Sequence, residues 1–167
     1  APNRTEAELQ TTHPVIRALQ RSRIGKAMSR PETRQLVLPT YLGLVKQIDD
    51  HLGRLFGELE RLGRLEDTLI VFTSDHGEYM GDHWMGEKDW INEEVVRVPM
   101  IIVDPRSGAD VTRGTTSNEL VEAIDLLPTF VEALGGENQT RKQWLEGESL
   151  LPVLHGERGT RREFVVC

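Results

Sequence analysis

The chain has 167 residues, 38% of them hydrophobic, which is enough for a core of about one domain. A formal net charge of −7 without any lysine or arginine block argues against a nucleic-acid or anionic-membrane partner. No apolar run reaches transmembrane length, the first residues lack a signal-peptide pattern, and the lone Cys167 rules out an internal disulfide framework and fits a reducing compartment such as the cytoplasm.

In chain order, residues 1–13 are polar and read as irregular, and 14–28 read as helical after Pro14; His13 is assigned no role. The helical pattern is strongest over 31–63, where Leu44, Val45, Ile48, Leu52, Leu55, Phe56, Leu59 and Leu62 recur on one face. Ser29, Pro31 and Glu32 resemble a helix start with a capping box, and Pro39 predicts a break or kink. His51 beside the stripe reads as a surface or packing residue, and Gly63 ends the helix.

Leu69-Ile70-Val71-Phe72 is continuously apolar, the pattern of a strand buried on both faces, and Val98 to Val103 repeats it with Pro99 tolerable only at its start. Asp104-Pro105-Arg106-Ser107-Gly108 reads as a turn that ends the second strand. Asp125 caps a helix running to Leu134 and stopped by Gly135-Gly136, Asn138-Gln139-Thr140 reads as a polar loop, and 163–167 as the start of another strand. Together these elements predict an α/β fold: a mainly parallel sheet in which 69–74 and 99–103 are neighbours, flanked by the 40–62 and 125–134 helices.

Chemistry concentrates just after the first strand. Asp75 offers a hard carboxylate oxygen and His76 an imidazole nitrogen, a pair suited to a divalent cation at the carboxyl end of a strand, where parallel α/β sheets place ligands. Asp75-His76-Gly77 alone reads rather as a turn. The stretch that follows holds Glu78, Asp82, His83, Glu87 and Lys88 among glycines and lacks helical or strand periodicity, which favours a site.

Ser74-Asp75-His76-Gly77-Glu78, Gly81-Asp82-His83, Gly86-Glu87-Lys88 and Arg97-Val98-Pro99-Met100-Ile101-Ile102-Val103 together resemble the sulfatase branch of the alkaline-phosphatase superfamily, close to arylsulfatases and phosphonate monoester hydrolases. Tyr41 to Phe56, Ile124 to Phe130, Leu134-Gly135-Gly136 and Gly147 to Pro152 extend the likeness over roughly residues 40–155. By this resemblance Asp75 and His76 are metal ligands, Lys88 reaches the substrate's sulfate or phosphate as a catalytic and substrate-binding group, and the ion is Ca²⁺ or Mn²⁺. His83 either hydrogen-bonds within the site as a further catalytic group or fixes the loop. Trp84 and Trp90 either line the pocket mouth or pack, and Glu78, Asp82, Glu87 and Asp89 are loop acceptors.

Such enzymes also use two acids at an earlier strand end and a Cys/Ser-x-Pro-x-Arg motif whose Cys or Ser becomes formylglycine. Neither occurs in these residues: Ser29-Arg30-Pro31-Glu32-Thr33 has Thr where Arg is needed, and Asp49-Asp50 lie mid-helix. Residues 1–167 therefore read as a single incomplete domain, the C-terminal part of a sulfatase catalytic domain, with formylglycine expected upstream. The implied parent is a sulfuric-ester hydrolase, and the isolated chain is expected to be inactive. A phosphonate monoester hydrolase or phosphodiesterase, or a non-catalytic structural module, is the alternative. The expected partners are a small anionic ester and the remainder of the chain itself, with self-association left open; neither nucleic acid nor membrane is among them.

Overall fold

The computed structural model describes residues 2–136, 145–157 and 162–166. Four helices come first: α1 (Glu6–Thr11), α2 (Pro14–Gln20), α3 (Arg23–Met28) and α4 (Pro31–Arg61). Strand β1 (Ile70–Thr73), helix α5 (Glu93–Val96), strand β2 (Met100–Val103) and helices α6 (Leu126–Ala133) and α7 (Leu151–Leu154) follow. β1 and β2 are hydrogen-bonded neighbours, as the apolar runs predict, and the architecture is α/β.

The opening residues differ from the expectation of irregular chain. The Thr5 hydroxyl accepts the Glu8 N–H at 3.2 Å, and Glu6 and Glu8 lie in the first turn, where their charge suits the helix dipole, so α1 forms. His13 has a role after all: its Nδ1 accepts the Val15 N–H at the start of α2. Ser22 divides the expected 14–28 helix by capping α3 through the Gly25 N–H. The anticipated capping box before α4 is not made, because the Ser29 hydroxyl donates to the Gly25 carbonyl and so closes α3.

Helix α4 continues through Pro39. One missing N–H and a local clash cost about 3 kcal/mol, which a helix of 31 residues absorbs without ending. Its end is specific: Gly63 takes φ of +65°, and the Gly63 and Arg64 N–H groups donate to the Glu60 and Leu59 carbonyls at 2.9 and 2.8 Å. The apolar stripe on α4 is largely exposed, with Ile48 at 53%. The strands are likewise less buried than their composition predicts, Ile101 being 57% exposed. Two paired strands are too few to enclose apolar side chains on both faces.

The described residues form two compact units. The first, Ala1–Leu65 with Phe72–Met100, has its core at Tyr79, Met85 and Val95, against which Ile16, Leu19 and Trp90 pack. The second comprises Glu66–Val71 and Ile101–Cys167. Its interior is partly ionic. Asp104, read from sequence as a turn residue, is buried and accepts the Arg106 guanidinium at 2.8 and 2.7 Å and His155 Nε2 at 2.9 Å.

Asp125, expected as the cap of α6, makes no capping bond to that helix. Its fully buried carboxylate instead accepts the Glu122 and Glu148 N–H groups and both terminal nitrogens of Arg162, at 2.7–2.9 Å. Residues 163–166 are not a strand; the Val166 N–H donates to the Glu122 carboxylate rather than to a ladder. Asn138-Gln139-Thr140 lies outside the described residues.

Candidate functional site

The loop after β1 is anchored at both ends. The Gly77 and Glu78 N–H groups donate to the Val95 and Glu94 carbonyls at 2.7 and 3.1 Å, and the Tyr79 N–H to the Glu87 carbonyl at 3.1 Å. Gly77 is required by the close approach, since a Cβ there would sit 1.9 Å from the Glu94 oxygen. Glu78 is the acceptor the sequence suggests: its Oε1 receives the Met80 and Glu87 N–H groups.

At the strand end the Asp75 carboxylate is 83% exposed, and its Oδ2 lies 3.4 Å from His76 Nε2. The His76 N–H at 3.0 Å from Oδ1 holds the Asp75 carboxyl below its ordinary pKa. His76 Nδ1 lies 2.8 Å from the Gly77 carbonyl, which only accepts, so Nδ1 carries the proton and Nε2 the lone pair. Lys88 Nζ donates to that Nε2 at 2.6 Å. Asp75, His76 and Lys88 are thus brought together from positions 12 and 13 residues apart.

This donor set fits a divalent ion. A carboxylate oxygen and an imidazole lone pair 3.4 Å apart match two ligands of one ion at bond lengths of roughly 2.0–2.6 Å, and the Gly77 carbonyl fixes the tautomer an ion requires, although an ion would have to displace the Lys88 ammonium from Nε2. Among the described residues, no group of three or more His, Cys, Asp or Glu side chains is arranged to hold a metal, so an ion held by Asp75 and His76 would need further ligands.

His83 has other partners. Its Nδ1 lies 2.7 Å from Glu8 Oε1, and its Nε2 3.2 Å from Glu94 Oε2. Burial opposes the charged ring, but the two carboxylates outweigh it and raise the His83 pKa above its ordinary value. For Glu94 burial acts the other way, yet the Asn3 amide and His83 hold its pKa down. Trp84 donates its indole N–H to the Thr5 carbonyl, and Trp90 packs on the core, so both serve packing within these residues.

Sequence reading misses Asn3, Glu8 and Glu94, because nothing local marks partners 80, 75 and 11 positions from His83. One signal does exist at the level of the backbone. All four non-glycine residues with positive φ among those described, Met80, His83, Trp84 and Glu87, fall in this loop, a concentration of strain typical of functional sites.

The model of the sulfatase family matches residues 3–136. The chain belongs to the sulfatase family. It is 43% identical over 130 residues to a multifunctional alkaline phosphatase superfamily protein of Trinickia caryophylli, an alignment covering 78% of this chain and 24% of that protein. With an N-acetylglucosamine-6-O-sulfatase of Bacteroides thetaiotaomicron it shares 36% identity over 136 residues, 81% of this chain and 23% of the relative. Its fold superimposes on the phosphonate monoester hydrolase from Silicibacter pomeroyi with a TM-score of 0.78 at 31% identity, covering 97% of this chain and 33% of that one. The chain therefore spans about a quarter of the length of the curated relatives it matches.

Proposed function

We propose that these residues are the C-terminal part of one catalytic domain of a metal-dependent sulfuric-ester hydrolase, with Asp75 and His76 as two ligands of a Ca²⁺ or Mn²⁺ ion. The nucleophile, a formylglycine, and the remaining ligands would come from outside this chain. When bound, the ion supplies Lewis-acid charge to the ester oxygens.

The chain's own residues do the rest. Asp75 remains a carboxylate through its bond from the His76 N–H, and the Gly77 carbonyl orients the His76 ring so that its neutral form presents the lone pair at Nε2. The Lys88 ammonium holds an anionic sulfate oxygen in the ground state and the charge that develops on it during transfer. Glu78 fixes the backbone of Glu87, and therefore the root of Lys88, by accepting the Glu87 N–H at 2.6 Å.

The observation that carries this reading is the meeting of Asp75 Oδ2, His76 Nε2 and Lys88 Nζ beyond β1. A phosphonate monoester or phosphodiester substrate is the second reading, favoured by the likeness to a phosphonate monoester hydrolase over 97% of this chain. Steady-state kinetics of the complete polypeptide, loaded with Mn²⁺ or Ca²⁺, on nitrophenyl sulfate and on a phenylphosphonate monoester separate them. The sulfatase reading expects the larger kcat/KM for the sulfate. The reverse order selects the second reading, and turnover of neither substrate supports a non-catalytic module.

A further inference from the structure

Residues 3–8 bond to the tip of the site loop through Asn3, Arg4, Thr5 and Glu8. The Asn3 N–H donates to Asp82 Oδ1 and the Asn3 carbonyl accepts the His83 N–H, both at 2.9 Å. The Arg4 guanidinium lies 4.2 Å over the Trp84 ring and donates to the Gly81 carbonyl at 3.1 Å. Thr5 accepts the Trp84 indole N–H at 3.0 Å, and Gln20 of α2 donates to the His83 carbonyl at 2.9 Å.

At the centre is the His83 ring, with Glu8 of α1 on Nδ1 and Glu94 of α5 on Nε2. A neutral imidazole has only one N–H, so two flanking carboxylates are both satisfied only by the imidazolium. The other groups facing this place are Asp82, bonded to Asn3; Arg4, over Trp84; Arg34 of α4, bonded to the Met80 carbonyl; and the Tyr79 ring, edge-on at 6.1 Å. None supplies a competing proton donor to the two carboxylates except the Asn3 amide on Glu94.

We propose that His83 is a positioning residue: as an imidazolium between Glu8 and Glu94 it clasps the loop tip to α1 and α5 and so fixes the loop that carries Lys88 beside His76. This rests on the reading of Asp75, His76 and Lys88 as the site. The link is mechanical. The Glu94 backbone accepts the Glu78 N–H, and Tyr79 is bonded to Glu87, so a displaced Glu94 is felt by the residues beside His76 and Lys88. The strained positive-φ backbone at Met80, His83, Trp84 and Glu87 needs such a constraint to persist.

The test uses the 167-residue chain, with imidazole nitrogen NMR and amide hydrogen exchange across pH. Below the His83 titration, residues 78–88 should be protected; above it their exchange should speed up roughly tenfold, the scale of one lost charge-assisted hydrogen bond. The His76 ring signals should move with the same midpoint. Glu8→Gln should lower the His83 midpoint and leave helicity unchanged, which guards against a variant that merely fails to fold. His83→Gln should exchange fast at every pH, whereas His83→Lys, which stays charged, should restore protection and remove its pH dependence. An ordinary His83 midpoint, unchanged loop protection in His83→Gln, or His76 signals indifferent to the opening overturns the proposal. Failure of Mn²⁺ to broaden the His76 signals in the complete polypeptide, while the clasp behaves as described, contradicts the site reading and not the clasp.

Discussion

Asp104 shows how far a single residue can depart from its local pattern. Its sequence neighbours Pro105, Ser107 and Gly108 mark a turn, yet its carboxylate is enclosed by Arg106 and by His155, 51 positions away. Burial alone would raise its pKa, but the bonds from Arg106 and His155 prevail and hold it well below the usual carboxylate range. A depressed folded-state pKa means the stabilisation is complete above the ordinary value and is lost as pH falls through the depressed one. Asp104→Asn should therefore lower stability by about 1–3 kcal/mol at neutral pH, the Arg106 and His155 partners left behind being partly exposed, and the loss should shrink below about pH 3. Urea unfolding at several pH values checks both; a cost that does not vary with pH contradicts the assignment. Asp75 and His76 were legible because they are adjacent and follow an apolar strand. Lys88 became legible through the sulfatase resemblance. Glu8 as the partner of His83, His155 as that of Asp104 and Arg162 as that of Asp125 were not, since each of these pairings is made by the fold rather than by any spacing.

At the scale of elements, α4 was readable from its three- and four-residue period, but periodicity gives a face and not what covers it. In this chain the face is exposed, so the stripe contributes little burial energy. Ile48→Ala should then change stability by less than about 1 kcal/mol, against about 2 kcal/mol for Val95→Ala in the core beside Tyr79 and Met85. Equal costs in denaturant unfolding would contradict the burial described. Helix α1 was missed because six residues show no period; its start is fixed by one hydroxyl, Thr5, and its value lies in Glu8. The two strands were placed correctly as neighbours, while their expected burial on both faces was not met for want of further paired strands among the described residues.

For the molecule as a whole, the α/β architecture and the sulfatase family were both readable, the first from alternating apolar strands and helices and the second from the motifs between Ser74 and Val103. The chain covers about a quarter of its curated relatives, and its described residues bring together two metal-type ligands and one ammonium group. The pure 167-residue chain is accordingly expected not to hydrolyse nitrophenyl sulfate or a phosphodiester; turnover by material of that mass alone would refute the account of what it lacks. Asp75 as metal ligand and Lys88 as substrate-charge ligand should fail differently, and metal analysis beside steady-state kinetics of the complete polypeptide distinguishes them most directly. Asp75→Ala should lose the ion and several orders of magnitude of activity together. Lys88→Ala should keep nearly stoichiometric metal while kcat/KM falls by roughly 10²–10³. Full activity in Lys88→Ala, or retained metal in Asp75→Ala, would contradict the roles assigned to this loop.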